Sequence, residues 1–235
     1  MILFDDNYEK IYKLMMEENE QVHYYMQKFS KKLKKKYTEH PELPIWHYEL
    51  VTLPKSNNTY LIYYYSMTYK EIIHDSYYCG SVLLLNGNDG QRLAVGLRKM
   101  SMKGEAMPDD VKYLVFSLQI FTGHFLSRYR ERMKFPDSMS TYDVIASFFG
   151  RCGGYFSELP YDDIVLKKNR SKGNSAWGVD DGVTLATKTI LNVDNYPVMV
   201  VKHNTFLARE FLKANQEKNT PTQEEMRMQC MHHFK

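Results

Sequence analysis

Cysteine, glycine and proline are all scarce in this chain: 3, 12 and 8 among 235 residues. Cys79, Cys152 and Cys230 are far apart and odd in number, with no CxxC spacing. They offer neither a disulfide framework nor a zinc ribbon, and they fit a reducing, cytoplasmic setting. No apolar run approaches the length that spans a bilayer. The start, MILFDDNYEK, passes from three apolar residues straight into acids, which reads as a soluble, untargeted chain with no membrane contact. Walker A, dinucleotide, HExxH, GxSxG and EF-hand patterns are all missing, so the common cofactor and metal enzymes are disfavoured and neither a cofactor nor a metal is expected. The acid pairs Asp109 and Asp110, Asp162 and Asp163, and Asp180 and Asp181 sit at turns or helix starts, where aspartate has a local role. Cys230, His232 and His233 fall in the last six residues and read as a frayed end.

Aromatic residues are abundant instead, with 19 tyrosines and 12 phenylalanines, a load that suits half-buried sheet surfaces. At 43% hydrophobic and 25% charged the chain falls in the globular range, and its net charge of +3 is too small to imply nucleic acid unless the cations cluster.

The pattern along the chain is α+β. From Asp6 to about Tyr37, Ile11, Leu14, Met15, Val22, Tyr25, Met26, Phe29 and Leu33 recur at helical spacing, which predicts one long amphipathic helix. It ends in KKLKKK, where Lys31, Lys34 and Lys35 are either macrodipole partners or a phosphate-tracking patch. Two hairpins follow, IWHYELVTL with TYLIYYYSM around PKSNN, and CGSVLLLNG with QRLAVGLRKM around NGNDG, with TYKEIIHDSYY as a short helix between them. VKYLVFSLQIF reads as a fifth strand, Thr122 as an N-cap and FTGHFLSRYRERMK as a helix. A second helix runs from Thr141 to about Phe149, and a hairpin turns around DDG. A strand from Val198 to Lys202 then leads through a turn at HNT into a helix from Phe206 to Gln216, and Thr222 to Glu225 has the form of a capping box. The expected architecture is a long N-terminal helix, an antiparallel meander, central helices, and a second small antiparallel sheet with a late helix. Residues 1–118 would form a partner or support region and residues 119–235 the region carrying the site, or the two would make one compact unit.

At 100° per residue, His124, Arg128 and Arg132 share an arc of about 80°, while Phe125, Leu126, Tyr129 and Met133 take the other side. An imidazole can move a proton near neutrality, and two guanidiniums match phosphate oxygens, which is half of a phosphodiester-cleaving site. The bland alternative is a solvated face with Glu131 paired to Arg128 or Lys134. In KHNTF, Lys202, His203 and Thr205 lie at a strand end, so His203 is the candidate acid–base partner of His124, while Thr205 and Asn204 compete as a helix cap.

HFLSRYRER on a helix, a hairpin around WGVDDGVTLAT and a strand into KHNTFL together resemble metal-independent RNases of the barnase, EndoU, colicin and RelE-like group, many of them bacterial toxins or mobile-element proteins. The resemblance covers residues 120–216. It implies cleavage of RNA by 2′-OH transesterification, with His124 as general acid or base, Arg128 and Arg132 binding phosphate, and Lys202 with Thr205 as the late element. Arg130, Lys31, Lys34 and Lys35 would add nucleic-acid contacts. In that group a basic residue precedes the threonine, where Asn204 stands here. Two other readings fit the same residues: a non-catalytic nucleic-acid-binding module, and an interaction protein that forms a homodimer or binds an inhibitor or other partner through its long helix.

Overall fold

The computed structural model describes residues 3–4, 7–36, 45–74, 77–87, 92–103, 112–152, 156–159 and 174–209. The elements run β1 (Leu3–Phe4), α1 (Tyr8–Lys36), β2 (Ile45–Thr52), β3 (Thr59–Ser66), α2 (Tyr69–Ile73), β4 (Tyr78–Gly87), β5 (Arg92–Lys103) and β6 (Lys112–Phe121). They continue with α3 (Gly123–Arg132), α4 (Thr141–Cys152), β7 (Ser157–Leu159), β8 (Ser175–Val179), β9 (Gly182–Val193) and β10 (Tyr196–Ala208).

Among the described residues ten strands form one mixed sheet, in the order β2-β3-β4-β5-β6-β10-β9-β8-β7, with β1 added parallel to the end of β4. The α+β class holds, but the second small sheet expected from the sequence is the other half of the first. The two halves join where β10 pairs parallel with β6, from Val198 opposite Phe116 to His203 opposite Phe121. The division at residue 118 therefore falls inside β6, the strand that makes this junction.

Both faces of the sheet are covered, which is why β3 reads as a nearly continuous apolar run. Leu61 and Tyr63 enter a core beneath α3 and α4 with Phe121, Phe125, Tyr129, Phe148, Phe149 and Phe206. Tyr60, Ile62 and Tyr64 point the other way, into a core beneath α1 with Ile11, Met15, Val22 and Leu33. Polar anchors fix each helix. The buried Glu18 of α1 accepts from Asn58 Nδ2 (2.8 Å) and Tyr60 Oη (2.6 Å). Tyr48 Oη donates to Asp143 at the start of α4 (2.5 Å), which drives that tyrosine's pKa up to about 12, while hydrogen bonds from Ser140 first and Tyr48 second draw the carboxyl's down.

The late segment departs from expectation. His203 to Phe206 is neither a turn nor a helix start: β10 continues to Ala208, and a bulge between His203 and Thr205 absorbs Asn204. Thr205 therefore caps nothing and is buried in the sheet. Past residue 209, the rest of the expected helix to Gln216 lies outside the described residues, as do the capping box at Thr222, the pairs at 109–110 and 162–163, and the C-terminal Cys230, His232 and His233.

Two substitutions of opposite sign test the packing. A Cβ on Gly80 would clash with the hydroxyl end of Tyr63, a ring itself buried and stacked on Phe149 at 5.2 Å, so Gly80→Ala should destabilise by roughly 1–3 kcal/mol. Lys134 closes α3 at φ 55°, with its amide on the Glu131 carbonyl and that of Phe135 on Arg130, a Schellman turn that favours glycine. Lys134→Gly should stabilise by about 0.5–1 kcal/mol, and urea unfolding of both variants reads the two signs.

Candidate functional site

The five residues expected to catalyse divide into a solvent-facing group on α3, His124 exposed with Arg128 and Arg132 half-buried, and a buried pair on β10. Thr122 sets the first. Its hydroxyl accepts from Phe125 N (3.1 Å) as the helix N-cap and donates to the His203 carbonyl (3.0 Å), so the start of α3 is fixed to β10. At the other end of the helix, Arg132 Nη1 donates to the Phe206 carbonyl. Between these ties Phe125, Leu126 and Tyr129 face the core, and His124 and Ser127 face solvent.

On the polar face, Arg128 Nη1 pairs with Glu131 Oε2 at 2.6 Å, the glutamate largely and the arginine partly exposed. Arg130 reaches the Asp137 carbonyl at 3.3 Å, on the connection to α4. Arg132 is half-buried, and its pKa is lowered first by loss of solvation and then by the neighbouring Arg128 guanidinium, with Glu131 opposing. His124, Arg128 and Arg132 thus form one basic file, with one carboxylate among them.

His203 is elsewhere in character. It is completely buried, stacked parallel on Phe121 at 4.3 Å between centroids and edged by Phe125, Phe156 and Trp177. Its Nε2 lies 2.8 Å from Gln119 Oε1 and its Nδ1 2.7 Å from Thr184 Oγ1, while Gln119 Nε2 donates to Ser117 Oγ at 2.5 Å. One hydrogen-bond order satisfies the whole row: Thr184 donates to Nδ1, Nε2–H donates to Gln119, and Gln119 donates to Ser117. A neutral imidazole fits it, and burial, helped by the Arg98 cation, pushes the His203 pKa down to about 3. Both nitrogens are occupied inside the core, so the structure does not bring His203 to the α3 surface where His124 stands.

The remaining candidates scatter. Lys202 is half-buried on β10 and Asn204 Nδ2 donates to Thr187 Oγ1 at 2.9 Å. Lys31 and Lys35 are exposed near the end of α1 and Lys34 is half-buried, on the sheet face opposite α3. Among the described residues no group of histidines, cysteines and acids has metal-site geometry, and no helix is long and apolar enough to cross a membrane.

A second network, centred on Asp181 in the β8–β9 turn, was not anticipated. Tyr129 Oη donates to it at 2.6 Å, and Arg151 Nε and Nη2 grip it at 2.8–3.0 Å. The pairing raises the arginine's pKa, and burial followed by the nearby anion raises the tyrosine's. Asp181 thereby ties α3 and α4 to the sheet, a structural use for one of the acid pairs. Ser117 and Gln119 carried the signal for the buried row, as two polar residues at alternate positions in an otherwise apolar strand.

No family model, curated protein or solved structure matches the chain.

The His203 row predicts a pH dependence. The unfolded histidine takes up a proton near 6.5 whereas the folded one stays neutral to about 3, so its contribution is complete above 6.5 and falls as pH drops through that window. Stability should decline by about 2 kcal/mol from pH 7 to pH 5. The lowered carboxyls of Glu49, Glu71 and Asp143 act at more acid pH. Urea unfolding at both pH values should show this slope in the wild type and lose it in His203→Gln; equal slopes would place the imidazole in contact with water.

Proposed function

We propose that the polar face of α3 binds the phosphodiester backbone of RNA. The observation that supports this is the placement of Arg128 and Arg132 one helical turn apart, close enough for each guanidinium to feel the other, with Glu131 as the carboxylate between them. Two like charges held side by side gain from an anion that bridges them, and their forked donors suit phosphate oxygens. The ties of Arg132 to the Phe206 carbonyl and of Arg130 to the Asp137 carbonyl hold the cationic face in place before any ligand arrives, which lowers the ordering cost of binding.

Endoribonuclease activity is a second reading of the same surface, favoured by the exposure of His124 one turn before Arg128. In it, His124 takes the proton from a 2′-hydroxyl, the alkoxide attacks phosphorus, and the arginines carry the charge that builds on the phosphoryl oxygens. Water then protonates the leaving 5′-oxygen, because His203 has both nitrogens engaged in the core. Such a site has one acid–base group and would be slow.

One titration separates the readings. End-labelled single-stranded RNA and DNA are bound in EDTA at 50 and 200 mM NaCl, with fragments read from the same samples. Binding by the wild type should weaken with salt, and Arg128→Gln should cost about five- to tenfold at low salt and reduce the salt slope by about one. His124→Ala should keep its affinity within about twofold; if the second reading holds, it alone should abolish cyclic-phosphate fragments without loss of binding. RNA that stays free at 50 mM NaCl would sink both readings.

A further inference from the structure

The second basic cluster lies on the other face of the sheet, and its arrangement calls for a different partner. α1 segregates its charges along its length. Residues 8–22 carry four glutamates, Glu9, Glu17, Glu18 and Glu20, against Lys10 and Lys13; residues 23–36 carry six lysines and no acid. An exposed helix that stabilises itself interleaves opposite charges three and four residues apart. Here Lys13 is the only lysine with acids of the same helix at those spacings, Glu9 and Glu17, and it pairs with Glu9 at 2.8 Å. Lys28, Lys31, Lys32 and Lys35 meet only one another or uncharged residues at those spacings. The macrodipole does not explain the pattern either, since its effect is confined to the end turns and Glu17, Glu20 and Lys28 lie well inside the helix.

Several of these charges have partners within the chain. Glu18 is buried against Asn58 and Tyr60, Lys13 also meets Asp194 at 3.1 Å, and Lys32 meets Glu49 at 2.8 Å. What remains exposed on the outer ridge is Lys10, Glu17, Glu20, Tyr24, Lys28, Lys31 and Lys35, with Tyr24 showing 61% of its surface. At 100° per residue these seven share an arc of about 80° centred on Tyr24. The central five, from Glu17 to Lys31, run acid, acid, tyrosine, base, base.

That order is self-complementary. A second α1 laid antiparallel across the first, with a twofold axis at Tyr24, sets Glu20 against Lys28 and Glu17 against Lys31, and each contact occurs twice. Further out it sets Lys35 against Lys13, whose charge Glu9 and Asp194 already answer, and the two Tyr24 rings meet on the axis. We propose that the outer ridge of α1 is a homodimer interface between two copies of this chain. It would span about 21 Å of helix, a small contact held largely by exposed charge, so the dimer is weak and salt-sensitive. Because α1 and α3 cover opposite faces of the sheet, the dimer leaves the α3 surface open.

Sedimentation equilibrium of the whole chain over about 5–500 µM tests this. At 50 mM NaCl the weight-average mass should rise from one chain to two, with a dissociation constant of roughly 10–100 µM, and 500 mM NaCl should weaken it at least about tenfold. Glu17→Lys with Glu20→Lys makes the centre of the ridge wholly basic, and Lys28→Glu with Lys31→Glu makes its centre wholly acidic. Each double variant should be monomeric alone, with unchanged circular dichroism and melting temperature, and an equimolar mixture should dimerise more tightly than the wild type. A wild type that stays monomeric at 500 µM overturns the proposal, as does a dimer that both charge reversals leave intact. If the wild type is monomeric and the Lys28→Glu, Lys31→Glu variant loses RNA affinity instead, the stripe serves a polyanion and the dimer is likewise rejected.

Discussion

The parallel pairing of β6 with β10 fixes almost everything else in this molecule. Parallel neighbours cannot be joined by a tight turn, so the chain between Phe121 and Tyr196 must cross over: α3 and α4 leave the sheet, and β7, β8 and β9 build its far half before β10 returns beside β6. The return is held by hydrogen bonds in two directions. Backbone pairing locks β10 between β6 and β9, and the row from Ser117 through Gln119 and His203 to Thr184 ties the same three strands side chain to side chain beneath the helices. A misaligned β10 would bury those polar groups without partners, at about 1–3 kcal/mol each, so the row selects the register as well as supporting it.

The same junction explains why a histidine that looks chemical in the sequence is structural in the fold. KHNTF carries turn-forming and ionisable residues, and that local pattern suggests a strand end facing an anion. The β-bulge at Asn204 accommodates the awkward residue without ending the strand, and Phe206 then enters the core under α3 and α4. Nothing within five residues of His203 announces that Gln119, 84 positions earlier, accepts from its ring.

What the sequence made legible was local. The apolar periodicity of α1, the PKSNN and DDG turns, the Thr122 cap, the VKYLVFSLQIF strand and the two faces of α3 each depend on neighbours within a few residues, and each is found in the structure. The single sheet was not legible, because β6 and β10 read as separate strands until their pairing is known, and covering both faces of the sheet erases the alternation that would have revealed which side each residue takes. Among the site residues, the polar face of α3 was readable from spacing alone. The partners that engage it were only partly so: the Arg128–Glu131 pair is local, while the Phe206 carbonyl that holds Arg132 comes from 74 residues away.

The small net charge of +3 conceals two basic surfaces with different physical requirements. On α3 the cations converge, and carbonyl oxygens of Asp137 and Phe206 orient Arg130 and Arg132. On the central ridge of α1, Glu17 and Glu20 are matched in spacing by Lys28 and Lys31 on the same helix, too far along it to meet them except across a twofold axis. Pairing the helix with a copy in that way would cover those two lysines and leave the face of α3 presented twice.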